Sequence, residues 1–154
     1  MTNRRIVLLC GLPGSGKTTY FKQSYSNSSK SFRISSDDLI AMSGEYDSTR
    51  QKVIRFGEDM MVRDAILHDL RVVIDRTNIT IRERKRWINL ARDLDCKISV
   101  DVIQSNEYRA RNAGRKNPVP NEVIDRMEKN WEPPVLSEGF DAIDNIAWEN
   151  IAIL

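Results

Sequence analysis

Gly11-Leu12-Pro13-Gly14-Ser15-Gly16-Lys17-Thr18 fits G-x-x-x-x-G-K-[ST] in full. Loops of this composition handle phosphate. Glycines let the backbone wrap phosphate oxygens and turn its N–H groups inward, and a following helix adds its positive N-terminal end. In such a loop Lys17 reaches the β- and γ-phosphates, while the Thr18 hydroxyl is placed to hold Mg²⁺. Gly11, Pro13, Gly14, Ser15, Gly16, Lys17, Thr18 and Thr19 are therefore the expected triphosphate site. The loop reads phosphates and not bases, so ATP and other nucleoside triphosphates fit it equally.

Three further groups bear on what happens to the γ-phosphate. In "RISSDD", Asp37 and Asp38 follow a short apolar stretch. A phosphotransferase needs a carboxylate beside the attacking hydroxyl, and adjacent residues cannot both point at it. Spacing alone does not choose between them, and both also suit a helix start. In "VVIDRTN", Asp75 ends an apolar run and is placed for Mg²⁺ or for a substrate group; Arg76, Thr77 and Asn78 follow it. In "YRARNAGRK", Arg109, Arg111, Arg115 and Lys116 fall within one short basic stretch. Residues 111 and 115 are four apart, one face of a helix. A lid there would cover charge as a phosphoryl group leaves. "RERKR" (82–86) is basic too, but it shares a helix with Trp87 and reads as a solvated face.

The elements that must position these groups alternate. Strands are expected at 4–10, 32–35, 71–75 and 96–103, with a last one within "DAIDNIAWEN". Helices are expected from Lys17, from Ser36 or Asp37 as N-cap, from about Thr49 to Leu70, from Thr80, across "SNEYRARNAGRK", and across "NEVIDRMEKNW". In the long helix Val53, Ile54, Met60, Met61, Ile66, Leu67 and Leu70 recur at roughly helical spacing. Trp87, Leu90, Ala91 and Leu94 make a cleaner stripe. Strand–helix alternation implies an α/β fold with a doubly wound, mostly parallel sheet and a site at the strands' carboxyl ends.

The chain has 154 residues and a net charge of +2, which suits one domain spanning 1–154 and says little about polyanions. No apolar run approaches a membrane span, and the apolar part of "MTNRRIVLLCG" is too short for a signal peptide. Cys10 and Cys96 lack metal-ligand spacing and read as free, buried thiols of a cytoplasmic protein; His68 reads as a solvated helix-end residue. No N-K-x-D or D-x-x-G stands where a guanine-nucleotide switch would carry it.

With these residues in view, the chain resembles the kinase domain of polynucleotide 5′-hydroxyl kinases, from residue 4 to nearly its end. "GLPGSGKTT" resembles that family's P-loop. "ISSDDL" resembles the segment around its general base, which assigns that role to Asp37. "IDRTN" resembles the segment carrying its substrate-side aspartate, Asp75 here. "RNAGR" resembles its arginine lid and implies phosphate contacts by Arg111 and Arg115. "WEPPVLSEGFDAI" resembles its closing segment, which packs the chain's end against the sheet. The resemblance implies a P-loop NTPase-type fold with a helical lid and transfer of the ATP γ-phosphate to 5′-OH ends of DNA or RNA, with Mg²⁺. It leaves no room for an added phosphatase or ligase domain. Two departures concern the acceptor. Ser36 stands where the family commonly has arginine, and Ile40 where some members carry a phosphate-gripping arginine. Arg33, Arg76 and the Arg82–Arg86 cluster are the candidates to replace it. Tyr46, Phe56 and Tyr108 are the aromatics available for stacking. The rival readings are a small-molecule kinase, which needs an enclosed acceptor pocket, and an ATP-binding regulatory module with no acceptor.

Overall fold

In the computed structural model, which describes residues 2–151, β1 (Arg5–Cys10) is buried at every position after Arg5. It lies at the centre of a five-stranded sheet with β2 (Ser31–Ser35), β3 (Arg71–Asp75), β4 (Lys97–Gln104) and β5 (Ala142–Ala147). The order is β2-β3-β1-β4-β5, and every neighbouring pair is parallel. Connected strands thus lie on both sides of β1, and a crevice opens where the order reverses.

Alternation along β1 divides the core. Ile6 and Leu8 face one layer with Val72, Ile74 and Val100. Val7 and Leu9 face the other with Val73 and Ile103. The first layer is covered by α3 (Ser48–Leu67) and α4 (Ile81–Asp93), the second by α1 (Lys17–Ser24) and by Trp148. Three shorter helices complete the chain: α2 (Ser36–Ser43), α5 (Tyr108–Ala113) and α6 (Asn121–Lys129).

The start of α4 shows how local chemistry fixes an element. Thr80 caps it, and Glu83 reaches back to the Thr80 amide at 3.0 Å, a reciprocal capping box. Trp87, Leu90 and Ala91 are buried as the stripe implies. The closing segment is stapled to the same helix. Glu132 accepts from the Ile81 amide at 2.8 Å, Phe140 is buried, and Asp141 accepts from the Ile98 amide at 2.8 Å.

Several expectations need correction. The 82–86 stretch is no solvated face: Arg84 is fully buried on Glu138, and Arg86 is held by Glu58 and Asp59. Carboxylates brought from distant segments make that burial possible. In α3 the inner face is Glu58, Val62, Ala65 and Ile66, while Val53, Met60 and Leu67 are exposed. The N-cap of α2 is Ser35, one residue earlier than expected, because its extended backbone lets its hydroxyl accept from the Asp38 amide. Gly114 caps α5, so Arg115 lies beyond that helix and shares no helical face with Arg111. Both cysteines are free, but Cys96 is only half-buried.

Candidate active site

The phosphate loop is fixed from behind. Its first amide, Gly11 N–H, donates to the Thr77 carbonyl at 3.0 Å. The Asn78 amide donates to the Leu9 carbonyl at 2.8 Å. Asn78 is 1% exposed and sits at φ +49°, a left-handed conformation that asparagine tolerates. Asn78 therefore ties the turn after β3 to the end of β1, and its side-chain N–H is spent on scaffold rather than on ligand. Lys17 donates to the Gly11 and Leu12 carbonyls at 2.8 and 3.1 Å. Loss of water around its ammonium pulls its pKa down to about 8, against the partial support of Asp75.

Gly14 and Gly16 have φ of +83° and +104°. Both also serve close packing. A Cβ at Gly14 would lie 2.1 Å from the Tyr108 carbonyl oxygen of α5, and one at Gly16 would lie 2.1 Å from the Trp148 indole.

Asp75 ends β3, 8% exposed, beside the start of α1. Its Oδ2 accepts from the Thr18 hydroxyl at 3.2 Å and from Arg33 Nε and Nη2 at 2.9 and 2.7 Å. A hydroxyl and a carboxylate side by side are hard oxygen donors. They suit Mg²⁺, which takes one or two protein ligands and completes its shell with phosphate and water. The third nitrogen of Arg33, Nη1, donates to Asp38 at 2.7 Å. That bond separates the adjacent acids. Asp38 is turned toward Arg33, whereas exposed Asp37 has no hydrogen-bond or ion-pair partner among the described residues.

Asp37, Asp75, Lys17 and Arg115 line one cleft of about 840 Å³ at the strands' carboxyl ends. Arg76 and Thr77 line it as well, and Arg76 Nε lies 3.5 Å from buried Glu58. Ile40, Tyr46 and Ile54 give its far wall an apolar component. The basic stretch divides. Arg115 is exposed on the cleft, Arg111 is held by the Gly14 carbonyl at 2.7 Å, and Arg109 is paired with Asp125 and Glu128 away from it. Two residues were not readable as site residues from the sequence. Glu58 looks like an exposed helix acid, and Trp148 like a strand aromatic. Neither carries a local motif.

Compared with known proteins, residues 6–134 match the AAA domain family. The chain belongs to that family. It is a polynucleotide kinase-like P-loop domain with an α/β fold. It is 26% identical over 154 residues to the bifunctional polynucleotide phosphatase/kinase of Schizosaccharomyces pombe, with 96% of this chain and 34% of that protein covered. It is 26% identical over 145 residues to the L-seryl-tRNA(Sec) kinase of Methanococcus maripaludis, covering 90% and 57%. Chaetomium thermophilum Kti12 in complex with ADP-AlF3 shares the fold at a TM-score of 0.73, with 17% identity over 94% of this chain and 89% of that one. The chain thus spans about a third and just over half of the two curated relatives. No described helix is long and apolar enough to cross a membrane.

Proposed function

We propose that this domain is an ATP-dependent polynucleotide 5′-kinase, moving the γ-phosphate to the 5′-OH end of DNA or RNA. The observation that carries the reading is the split between the two acids. Asp38 is spent on Arg33, and Asp37 is left free in an open cleft shared with Lys17 and Arg115. Six cationic side chains and four carboxylates line that cleft, which suits a polyanionic acceptor better than a neutral one. Similarity to the S. pombe polynucleotide phosphatase/kinase supports the same chemistry for this domain.

Lys17 and the loop amides bind the β- and γ-phosphates. Asp37 accepts the proton of the attacking hydroxyl. Arg115, free of carboxylate partners among the described residues, stands over the charge that develops on the phosphoryl oxygens. Thr18 and Asp75 would hold Mg²⁺, which when bound neutralises phosphate charge. Arg33 keeps Asp75 on the Thr18 side, so the metal-side role expected of Asp75 fits better than an acceptor-side one. Arg76, steadied by Glu58, and Thr77 are the acceptor-side groups.

A second reading has its own support. The apolar far wall at Ile40 and Ile54, with the likeness to a seryl-tRNA kinase, suits a hydroxyl on a small molecule or on a tRNA-borne group. Transfer from γ-labelled ATP separates the two. The assay offers 5′-OH oligonucleotides of DNA and RNA beside nucleosides, 3′-mononucleotides, sugars and seryl-tRNA. Label is expected on oligonucleotide 5′ ends, and Asp37→Ala is expected to lower kcat by about 10²–10⁴-fold with ATP still bound. Label only on small molecules or on seryl-tRNA overturns the polynucleotide reading. Bound ATP without transfer to any acceptor overturns the kinase reading.

A further inference from the structure

Arg111 and Trp148 form a pair that the phosphate chemistry does not use. The Arg111 guanidinium lies over the Trp148 ring, 4.0 Å from its centroid. Arg111 Nε donates to the Gly14 carbonyl at 2.7 Å, and Nη2 donates to the Ser105 hydroxyl. Two hydrogen bonds and an indole backing fix the orientation of a normally flexible side chain. Trp148 is fixed in turn, against Gly16 on one side and the Val7–Leu9–Ile151 cluster on another. Both side chains border the cleft.

Topology says which end of a nucleotide they would meet. Asp37 follows β2 and Asp75 follows β3, on one side of β1; Arg111 follows β4 and Trp148 follows β5, on the other. A triphosphate whose γ end lies at Lys17, Thr18 and Asp75 runs across the loop, and its nucleoside leaves on the β4–β5 side. Arg115, beyond the end of α5, is free to reach the phosphates. Arg111 is not free, since the two bonds that orient it hold it against the loop's own backbone and Ser105.

We infer that the Arg111–Trp148 stack is the nucleobase platform, with Arg111 presenting its flat face to the aromatic base of a nucleoside triphosphate and Trp148 holding it from behind. This rests on the nucleotide-binding part of the proposed function. It takes Arg111 away from the phosphates and leaves Arg115 as the lid arginine. Stacking on a guanidinium needs an aromatic ligand and takes little account of its polar edge. Trp148 is a positioning residue here, and Arg111 a binding one.

The test compares ligands that differ only in carrying a base. Calorimetry of the intact chain measures Kd for Mg·ATP and for Mg·tripolyphosphate. Trp148→Leu changes no charge and is expected to weaken ATP by about ten-fold, the scale of a lost base stack, with tripolyphosphate within two-fold. Arg111→Lys keeps the charge and loses the flat face, so it should show the same selectivity. Trp148→Phe keeps a ring and should recover most of the ATP affinity. Unchanged tripolyphosphate binding also certifies that each variant is folded. Equal losses for both ligands would make Arg111 a phosphate ligand and overturn the platform. No loss for either would overturn it as well. A wild-type chain that binds tripolyphosphate as tightly as ATP removes the platform and leaves the phosphate loop standing. A chain that binds neither removes the nucleotide reading itself.

Discussion

The two walls of the cleft are built in opposite ways. On the phosphate wall, Asn78 and Asp75 are buried, Gly14 and Gly16 have neighbours where a Cβ would go, and Lys17 is held by loop carbonyls. On the acceptor wall, made by α2 and the first half of α3, Asp37 is exposed, and Met42, Tyr46 and Phe56 are 80%, 60% and 68% exposed. The phosphate wall is positioned by packing before any ligand arrives, as electrostatic stabilisation requires. The acceptor wall leaves its order to be supplied by whatever binds there. Substitutions on the first should therefore register as lost stability, and substitutions on the second as lost turnover or recognition.

The largest effect expected on the packed wall is at Arg84. Its Nε and Nη2 donate to Glu138 at 2.9 and 3.1 Å, and its Nη1 donates to the Asn78 carbonyl at 3.0 Å. Arg84→Met would leave the Glu138 carboxylate, 7% exposed, without its partner. Breaking a buried pair from one side costs about 3–5 kcal/mol. Urea denaturation should show a loss of that size, and a loss under about 1 kcal/mol would mean that the turn after β3 is not tied to the closing segment through Arg84.

Gly14→Ala should come next. The new methyl would meet the Tyr108 carbonyl oxygen at 2.1 Å from a backbone at φ +83°. Strain and displacement of α5 together suggest about 2–3 kcal/mol in the same denaturation experiment. A variant of native stability would show that α5 is loosely docked, and the contrast between the walls would fail on its packed side.

The contrast also explains what the sequence made legible. The loop, the strand ends and the capped start of α4 rest on local rules, so "GLPGSGKTT", "VVID" and the Thr80–Glu83 box could be placed from their own residues. The inner face of α3 could not. Apolar residues occur around much of that helix, and the face turned inward carries Glu58 because Arg86 and Arg76 meet it there from other segments. Arg111 and Arg115 looked equivalent at a spacing of four, but Gly114 stops the helix between them. Trp148 gained its place only through strand order, which sets the end of β5 beside the phosphate loop. Ion pairs and stacks between distant segments are the part of the site that local pattern does not encode.

Lys17 offers a test on the packed wall whose size is set by pH. In the ligand-free protein its proton is lost as pH rises through about 8, against the usual 10.5 of a lysine. Between those values the unfolded chain binds the proton and the folded one does not, so folding stability at this residue rises with pH across the window. Triphosphate affinity moves the other way, because phosphate favours the charged form. Above about pH 8, Mg·ATP affinity should fall by up to about ten-fold per unit, or ~1.4 kcal/mol, with proton uptake on binding. Calorimetry in buffers of different ionisation enthalpy reads that uptake, and Lys17→Met should abolish it. Flat affinity from pH 7 to 9.5 would show that the loop leaves the ammonium well solvated.

The smallest effect in stability should be at Asp38, on the open wall. Its carboxylate is 70% exposed, and its one ion pair is with Arg33 at 2.7 Å. Exposed pairs of this kind contribute about 0–1 kcal/mol, so Asp38→Ala should unfold at nearly the wild-type urea midpoint. Arg33 keeps two bonds to Asp75, whose side chain is 6% exposed, and so should stay in place. The freed Nη1 then faces the cleft beside Asp37. With one carboxylate fewer and one donor more, the acceptor wall becomes more positive, and KM for a 5′-OH oligonucleotide should fall while kcat holds. A collapse of kcat to the level of Asp37→Ala would instead mean that both acids take part in the proton transfer, and that the division between them at Arg33 is not the one that matters for turnover.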